Sequence, residues 1–504
     1  MEIFGYAPWG YDGELVRVET DLRRGIPGME IVGLPGNAVR EARERIRVAL
    51  RRAGFEFPSD RILVNLSPAD LPKVGSGYDL PMALALLEAS GQWAPPFPSI
   101  LAMGELALDG TLRRVPGVLA GAHRSMAAGL EAFAVAEEAR AEAQAVEGLP
   151  LTSAGDLAAL VEALEVRPEG NRAASSHRTA ASDQAEIPWD LRGQGAVVRA
   201  LEVSAAGGHS LLLYGPPGAG KTLAARALEA LMPPLEPAEA LETTRLWSLA
   251  GVLPRGQGLL SRRPFRAPHH QATAEGLLGG GRSLGPGEIS LAHHGVLFLD
   301  EAPEFSSRVL QALREPLELG SVSVVRAGRS AWFPSRFQLV LTANACPCGQ
   351  TGREQGVCFC SAREIRRYWD RIGTALLDRV DLRLFVTPES PERLLVDETA
   401  DPQTIRERVA RARRRQALRG QGALVANAFL GPRELDRYCR LDDPGRRTLA
   451  EAGRRHDWSS RAIHSLLRVA RTLADLEDSD DVAEAHLAQA LGLRRPRGEE
   501  YWER

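Results

Sequence analysis

Eight residues constrain this chain more than any others: "GPPGAGKT" at 215–222, preceded by the apolar run "SLLLYG" and followed by a helical pattern. The segment fits G-x-x-x-x-G-K-[ST] and lies between a strand and a helix, where a phosphate-binding loop must lie. The loop consists of Gly215, Pro216, Pro217, Gly218, Ala219 and Gly220. Gly218 and Gly220 let backbone N–H groups turn inward around phosphates. Lys221 reaches the β- and γ-phosphates, and the Thr222 hydroxyl binds Mg²⁺. A chance glycine turn is the bland alternative, and the strand–loop–helix context argues against it. The expectation is a nucleotide-binding core that uses ATP and Mg²⁺.

Four further segments extend that core. "GVLFLDE" (295–301) is a buried strand ending in two carboxylates, with Asp300 for the Mg²⁺ shell and Glu301 to polarise the attacking water. "LVLTAN" (339–344) ends in Asn344, placed to orient that water or touch the γ-phosphate; an isolated Asn there is more often a turn former. "LLDRVDL" (376–382) sets Arg379 between apolar flanks, as a finger reaching a neighbour's γ-phosphate. "SSRAIHSLL" (459–467) opens a helix with Arg461, which is expected to report nucleotide state within the same subunit. Either arginine is also compatible with an ordinary surface ion pair.

The 504 residues imply about three domains. Residues 1–166 read as an α/β domain: "RILVNLSP" (61–68) is strand-like, and in 37–54 Val39, Ala42, Ile46 and Ala49/Leu50 share one helical face. Residues 167–187, rich in Ala, Ser, Arg and Glu without apolar period, read as linker. Residues 188–389 carry the nucleotide motifs on short apolar strands, the pattern of a buried parallel sheet. Residues 390–504 read as successive amphipathic helices, a helical lid. No apolar window is long enough to span a membrane, and "MEIFGYAPWG" has no export signal, so a cytoplasmic location is expected. The net charge of −3 gives no global nucleic-acid signal, so DNA binding would need local basic surfaces.

Four of the five cysteines, Cys346, Cys348, Cys358 and Cys360, fall within 346–360. A reducing compartment disfavours disulfides, and no neighbouring histidine activates a thiol. Structural zinc in a four-thiolate site and reduced free thiols stay open, with zinc favoured.

Together, "GPPGAGKT", "RPFRAPHH" (263–270), "PGEISLAHHGVLFLDEAPEF" (286–305), "NACPCG" (344–349) and "LLDRVDL" resemble the magnesium-chelatase-like AAA+ ATPases of the YifB/ComM type, in order and over nearly the full length. The resemblance implies a helix-2 insert at 273–294 and a hairpin at 321–336, which in related rings points into the central pore. Arg326 and Arg329 would there track a DNA phosphate backbone, with a solvated basic turn as the alternative. One departure is Ala345, where the family usually has proline.

The first domain resembles the Lon-protease-like (ribosomal protein S5-like) α/β fold, through 31–50, 64–87 and 104–123. Registering the segments puts Gly77 at the nucleophile and Leu119 at the lysine base, so the domain is expected to be catalytically inactive. Ser76 with Lys73, the domain's one lysine, is the remaining dyad to test. The resemblance of the whole chain to the YifB/ComM family implies an ATP-driven DNA motor: a hexameric branch-migration helicase acting on single-stranded or branched DNA in recombination and natural transformation. The alternatives are an ATP-dependent protease or unfoldase related to Lon, and the motor subunit of a metal chelatase.

Overall fold

The computed structural model describes residues 1–171, 189, 191–281, 284–326, 329–353, 356–389, 401–420, 426–455 and 458–494. Most of the expected linker, and residues 390–400 at the expected start of the lid, lie outside the described residues.

The N-terminal domain is a seven-stranded sheet flanked by helices. Its strands are β1 (Glu2–Ala7), β2 (Glu14–Arg23), β3 (Gly28–Val32), β4 (Arg61–Ser67), β5 (Ser99–Met103), β6 (Phe133–Ala136) and β7 (Leu151–Ala154), in the order β3-β4-β2-β1-β5-β6-β7. In β4, Ile62, Val64 and Leu66 are buried and alternate with less buried neighbours, as a strand with one covered face requires. Helix α1 (Asn37–Arg52) buries the five residues expected from its 3.6 period: Val39, Ala42, Ile46, Ala49 and Leu50. Helix α2 (Asp79–Ala89) is buried along nearly its whole length. Asp79 at its start is fully buried and accepts both arms of Arg45, at 2.8 and 2.9 Å. Helix α3 (Val118–Ala127) closes the other side.

The central domain opens with α4 (Gly195–Gly207) and is built on a five-stranded parallel sheet. Its strands are β8 (Leu211–Tyr214), β9 (Phe265–Arg266), β10 (Val296–Leu299), β13 (Gln338–Ala343) and β14 (Leu382–Phe385), ordered β9-β10-β13-β8-β14. All four residues of β8 are buried, because helices cover both faces of the sheet. Between β8 and β9 lie α5 (Lys221–Leu231) and α6 (Pro237–Leu249). The expected insert holds a short helix (Ala274–Leu278), a two-residue ladder and a second short helix (Glu288–Leu291). The expected hairpin is the antiparallel pair β11 (Ser321–Arg326) and β12 (Arg329–Pro334). Helix α7 (Ala362–Asp370) follows the cysteine segment, opened by a Ser361/Glu364 capping box.

The lid comprises α8 (Pro402–Arg419), α9 (Pro432–Tyr438), α10 (Asp443–Arg455), α11 (Ser460–Leu476) and α12 (Glu484–Leu493). Leu466, Val469, Ala470 and Leu473 of α11 join a core shared with Val197, Leu201 and Ala205 of α4. Among the described residues, no helix is long and apolar enough to cross a membrane.

The N-terminal domain docks on α6. Leu249 joins the cluster containing Val118 and Leu119 of α3, and Gly117 N–H donates to Ser248 O at 3.0 Å. Buried Glu142 takes the guanidinium of Arg114 at 2.8 Å, the Leu119 N–H at 2.9 Å and the Ser248 hydroxyl. Removing such a buried carboxylate strands its partners, at a cost of about 3–5 kcal/mol.

Candidate nucleotide site and cysteine knuckle

The loop at 215–222 turns where its glycines permit. Gly218 and Gly220 have φ of 83° and 82°, the left-handed region that residues with a Cβ avoid. A Cβ on Gly215 would lie 2.1 Å from Val386 O, so only glycine fits beside the strand end. The last glycine leads directly into α5, whose first-turn N–H groups face the loop. Lys221 Nζ donates to Gly215 O at 2.8 Å, Pro216 O at 2.9 Å and Asn344 Oδ1 at 3.1 Å. Burial lowers its pKa, while Asp300 and Glu301 pull it back up.

The structure gathers the other core candidates here. Thr222 Oγ1 lies 3.2 and 3.1 Å from the two Asp300 oxygens. This hydroxyl–carboxylate pair fits a Mg²⁺ that takes one ligand from each. Glu301 has φ of 51°, a rare conformation for a non-glycine residue and typical of constrained functional positions. Thr342 fixes the acidic pair: its hydroxyl donates to Asp300 Oδ1 and accepts the Glu301 N–H at 2.8 Å. Sequence reasoning missed Thr342, although it sits two residues before Asn344 and so on the same strand face. It also missed Tyr368, whose hydroxyl accepts the Asn344 N–H at 3.2 Å, and Gln194, which donates to Ala219 O at 3.3 Å.

Arg379 and Arg461 lie elsewhere, and together. Arg379 reaches Glu318 Oε1 at 2.8 Å, and Arg461 pairs with the same oxygen. Both line a cleft of about 670 Å³ with Ser210, Phe429 and Arg468. Ser210 precedes β8 and donates to Arg379 O at 2.9 Å, whereas the phosphate loop follows β8. The arginines are thus at the opposite end of the sheet from Lys221. Arg461, expected to serve its own subunit's nucleotide, lies away from Lys221 within this chain. Ser465, one turn on, donates to Asp381 at the head of β14, which anchors the start of α11 at that end.

The four clustered cysteines converge. Their Sγ atoms all lie within 4.8 Å of one another, with Cys346–Cys348 at 3.3 Å and Cys348–Cys358 at 3.6 Å. These separations are too long for disulfides, at about 2.05 Å, and fit four thiolates around one tetrahedral ion. Thr351 N–H donates to Cys346 Sγ at 3.4 Å. The knuckle leans on the phosphate loop: a Cβ on Gly349 would meet Pro217 Cγ at 2.8 Å.

In the N-terminal domain, the Ser76 hydroxyl donates to Glu105 and the buried Lys73 ammonium donates to the Pro68 carbonyl. The two candidates spend their hydrogen bonds on separate partners. Leu119, where a Lon-type lysine was expected, is buried at the dock on α6. Arg326 closes the hairpin ladder opposite Arg329. Arg329, expected on a pore-facing hairpin, has its guanidinium 5.3 Å from the Trp9 ring centroid, on the N-terminal domain.

A parallel sheet with a phosphate loop, a strand-end acidic pair, an Asn at the tip of the adjacent strand and a helical lid defines an AAA+ ATPase. Magnesium chelatase subunit ChlI profiles match residues 189–394, 18–139 and, for the C-terminal part, 399–494. The protein YifB of Salmonella typhimurium is 40% identical over 97% of this chain and 96% of its own length. The competence protein ComM of Haemophilus influenzae is 39% identical over 98% of this chain and 97% of its own. The chain belongs to the magnesium-chelatase-like AAA+ family of YifB and ComM.

Proposed function

We propose that the protein is an ATP-driven motor that assembles into a hexameric ring and moves single-stranded or branched DNA, as a branch-migration helicase in recombination. The observation that carries the ring is the pairing of Arg379 and Arg461 on Glu318, away from their own phosphate loop. A head-to-tail neighbour would bring that face to the nucleotide, so hydrolysis needs two chains. The DNA reading rests on the basic hairpin carrying Arg326 and Arg329, and a role in natural transformation on ComM being a competence protein.

Bound Mg²⁺–ATP supplies the phosphoanhydride and the charge neutralisation that phosphoryl transfer needs. Lys221 and the loop N–H groups hold the phosphates, and Thr222 and Asp300 hold the metal. Glu301 takes the proton of the attacking water while Asn344 orients it. Arg379 and Arg461 of the neighbour stabilise the charge that develops in transfer. Cys346, Cys348, Cys358 and Cys360 hold a structural zinc that stiffens the chain leaving Asn344. A peptidase is disfavoured, since Ser76 pairs with Glu105 rather than a base of the required kind.

The test is ATP turnover measured side by side with single-stranded DNA, forked DNA and unfolded protein. Stimulation by DNA, strongest with the fork, is expected. Stimulation by unfolded protein alone would replace this reading with an unfoldase.

A further inference from the structure

The hairpin does not stand free. Tyr11 N–H donates to Trp332 O at 3.2 Å, and the Tyr11 and Trp332 rings lie 5.5 Å apart. Ala331 and Phe333 of β12 are buried with Leu246 of α6, and Trp9 and Tyr11 pack against them. Arg245 of α6 stacks over the Tyr11 ring at 4.2 Å and pairs with Asp12 at 2.9 Å. The loop between β1 and β2 therefore grips both the hairpin and the helix on which its own domain is docked. At the turn end of β12, Trp9 holds Arg329. Among the described residues, no carboxylate is paired with Arg329.

A guanidinium stacked on an indole and lacking a carboxylate is held weakly, by about the energy of an exposed cation–π contact. A phosphate backbone offers the same guanidinium a charge-assisted hydrogen bond, which is stronger. Trp9 and DNA thus compete for one side chain.

We infer that the N-terminal domain works as a clamp on the hairpin: Trp9 holds Arg329, and Tyr11 holds the strand at Trp332, until a single strand displaces them. The inference rests on the hairpin being a DNA contact. It gives the domain a task, which is to set the threshold for loading. The clamp also links loading to α6, since Arg245 loses its stack on Tyr11 when the loop lets go.

Two manipulations of the full-length protein test this, with binding of a labelled single-stranded oligonucleotide read by anisotropy in a non-hydrolysable ATP analogue. Trp9→Ala should tighten binding about 2- to 5-fold, the size of the lost cation–π contact. Trp9→Phe, which keeps a ring, should change it less, and Trp9→Ala should do nothing in an Arg329→Ala background. The second manipulation locks the clamp. A Cβ on Gly10 lies 3.4 Å from Ala331 Cβ, near the separation found in disulfides; Gly10 has φ of 61°, so Gly10→Cys strains the backbone there, and the reduced Gly10→Cys/Ala331→Cys protein, which carries the same strain, is the reference for the oxidised one. The oxidised protein should bind DNA at least tenfold more weakly and regain binding on reduction, with DNA-free ATP turnover unchanged. The parent and both single variants, treated with the same oxidant, control for the knuckle thiols. A Trp9→Ala protein that binds no tighter while Arg329→Ala weakens binding overturns the clamp and leaves the DNA reading standing. A locked protein that binds like its reduced form does the same. If the unmutated protein binds no DNA under any condition, the DNA reading fails, and the clamp fails with it.

Discussion

Lys221 Nζ donates to Asn344 Oδ1 across 3.1 Å, joining residues 123 positions apart in the chain. Asn344 is itself fixed by Tyr368, and the acidic pair beside it by Thr342. Lys221 and Asn344, proposed to bind phosphate and to orient water, therefore share a preset geometry. On the proposed mechanism, a Lys221 that turned to a γ-phosphate would give up Asn344 and release its amide to the attacking water. That exchange would couple binding and activation of the site through one hydrogen bond.

Glu301→Gln should keep nucleotide binding and lose hydrolysis by about 10²–10⁴-fold, the usual worth of a positioned base. Asn344→Ala should lose turnover too, and should also alter nucleotide affinity, because Lys221 then keeps only the Gly215 and Pro216 carbonyls as partners. Stopped-flow binding of a fluorescent ATP analogue, beside steady-state turnover, separates the two. Turnover of Glu301→Gln at the parent rate would remove Glu301 from the mechanism.

Untagged protein should carry one zinc per chain, and Cys346→Ser should lose it, since the convergence of four Sγ atoms leaves room for one ion. Metal analysis with thermal melting decides this. Loss of metal should lower the melting temperature and slow hydrolysis, because the knuckle packs on Pro217 of the phosphate loop. Metal-free protein of full stability would leave four reduced thiols and no structural ion.

Acid should loosen α6 from β10. His293 and His294 both hydrogen-bond Glu242 Oε2, at 3.0 and 2.8 Å. His293 Nδ1 accepts the Arg336 N–H at 2.9 Å, so its Nε2 keeps the proton and the group is a hydrogen-bonded cluster, not a metal site. Burial holds the His293 pKa down at about 4, with the Glu242 hydrogen bond opposing. The unfolded chain has its histidine near 6.5 and so binds more protons than the folded one between 6.5 and 4. Stability should fall as pH falls through that window, by up to about 3 kcal/mol. Hydrogen bonds from both histidines hold Glu242 well below the carboxylate range, which adds loss in the same direction at lower pH. Denaturant titrations from pH 7 to 4 should show this slope, reduced in His293→Gln. An equal slope in both would place its origin elsewhere.

The parts of this molecule legible in its sequence are those whose chemistry is local. A phosphate loop needs glycines at fixed spacing, so 215–222 announced itself; α1 announced its buried face because a helix repeats every 3.6 residues. Thr342 was readable in principle from the two-residue period of β13. The grip of Trp9 on Arg329 and the bond of Glu242 to His293 were not, because each joins residues far apart in sequence through packing no local pattern encodes. Arg461 shows the same limit: its helix was plain, yet which end of the sheet it faces depends on Ser465 meeting Asp381.

That placement gives the sharpest test of the ring. Arg379 and Arg461 share Glu318 within one chain, so in the monomer both charges are parked. A neighbour's nucleotide would draw them off, freeing Glu318. Arg379→Ala and Arg461→Ala should each bind ATP normally and lose hydrolysis; an arginine supplied in trans is worth about 10³–10⁵ in rate where it acts as a finger. Mixing Arg379→Ala chains with Lys221→Ala chains should restore part of the turnover, since some interfaces then pair an intact loop with an intact finger. Arg461→Ala mixed with Lys221→Ala should be rescued in the same way, whereas an arginine serving its own subunit's nucleotide could not be. Glu318→Gln should lower the barrier to release and raise turnover at subsaturating protein concentration. A monomer with full turnover, or rings in which neither arginine variant is rescued, would overturn the assignment of the two residues to a neighbour's nucleotide.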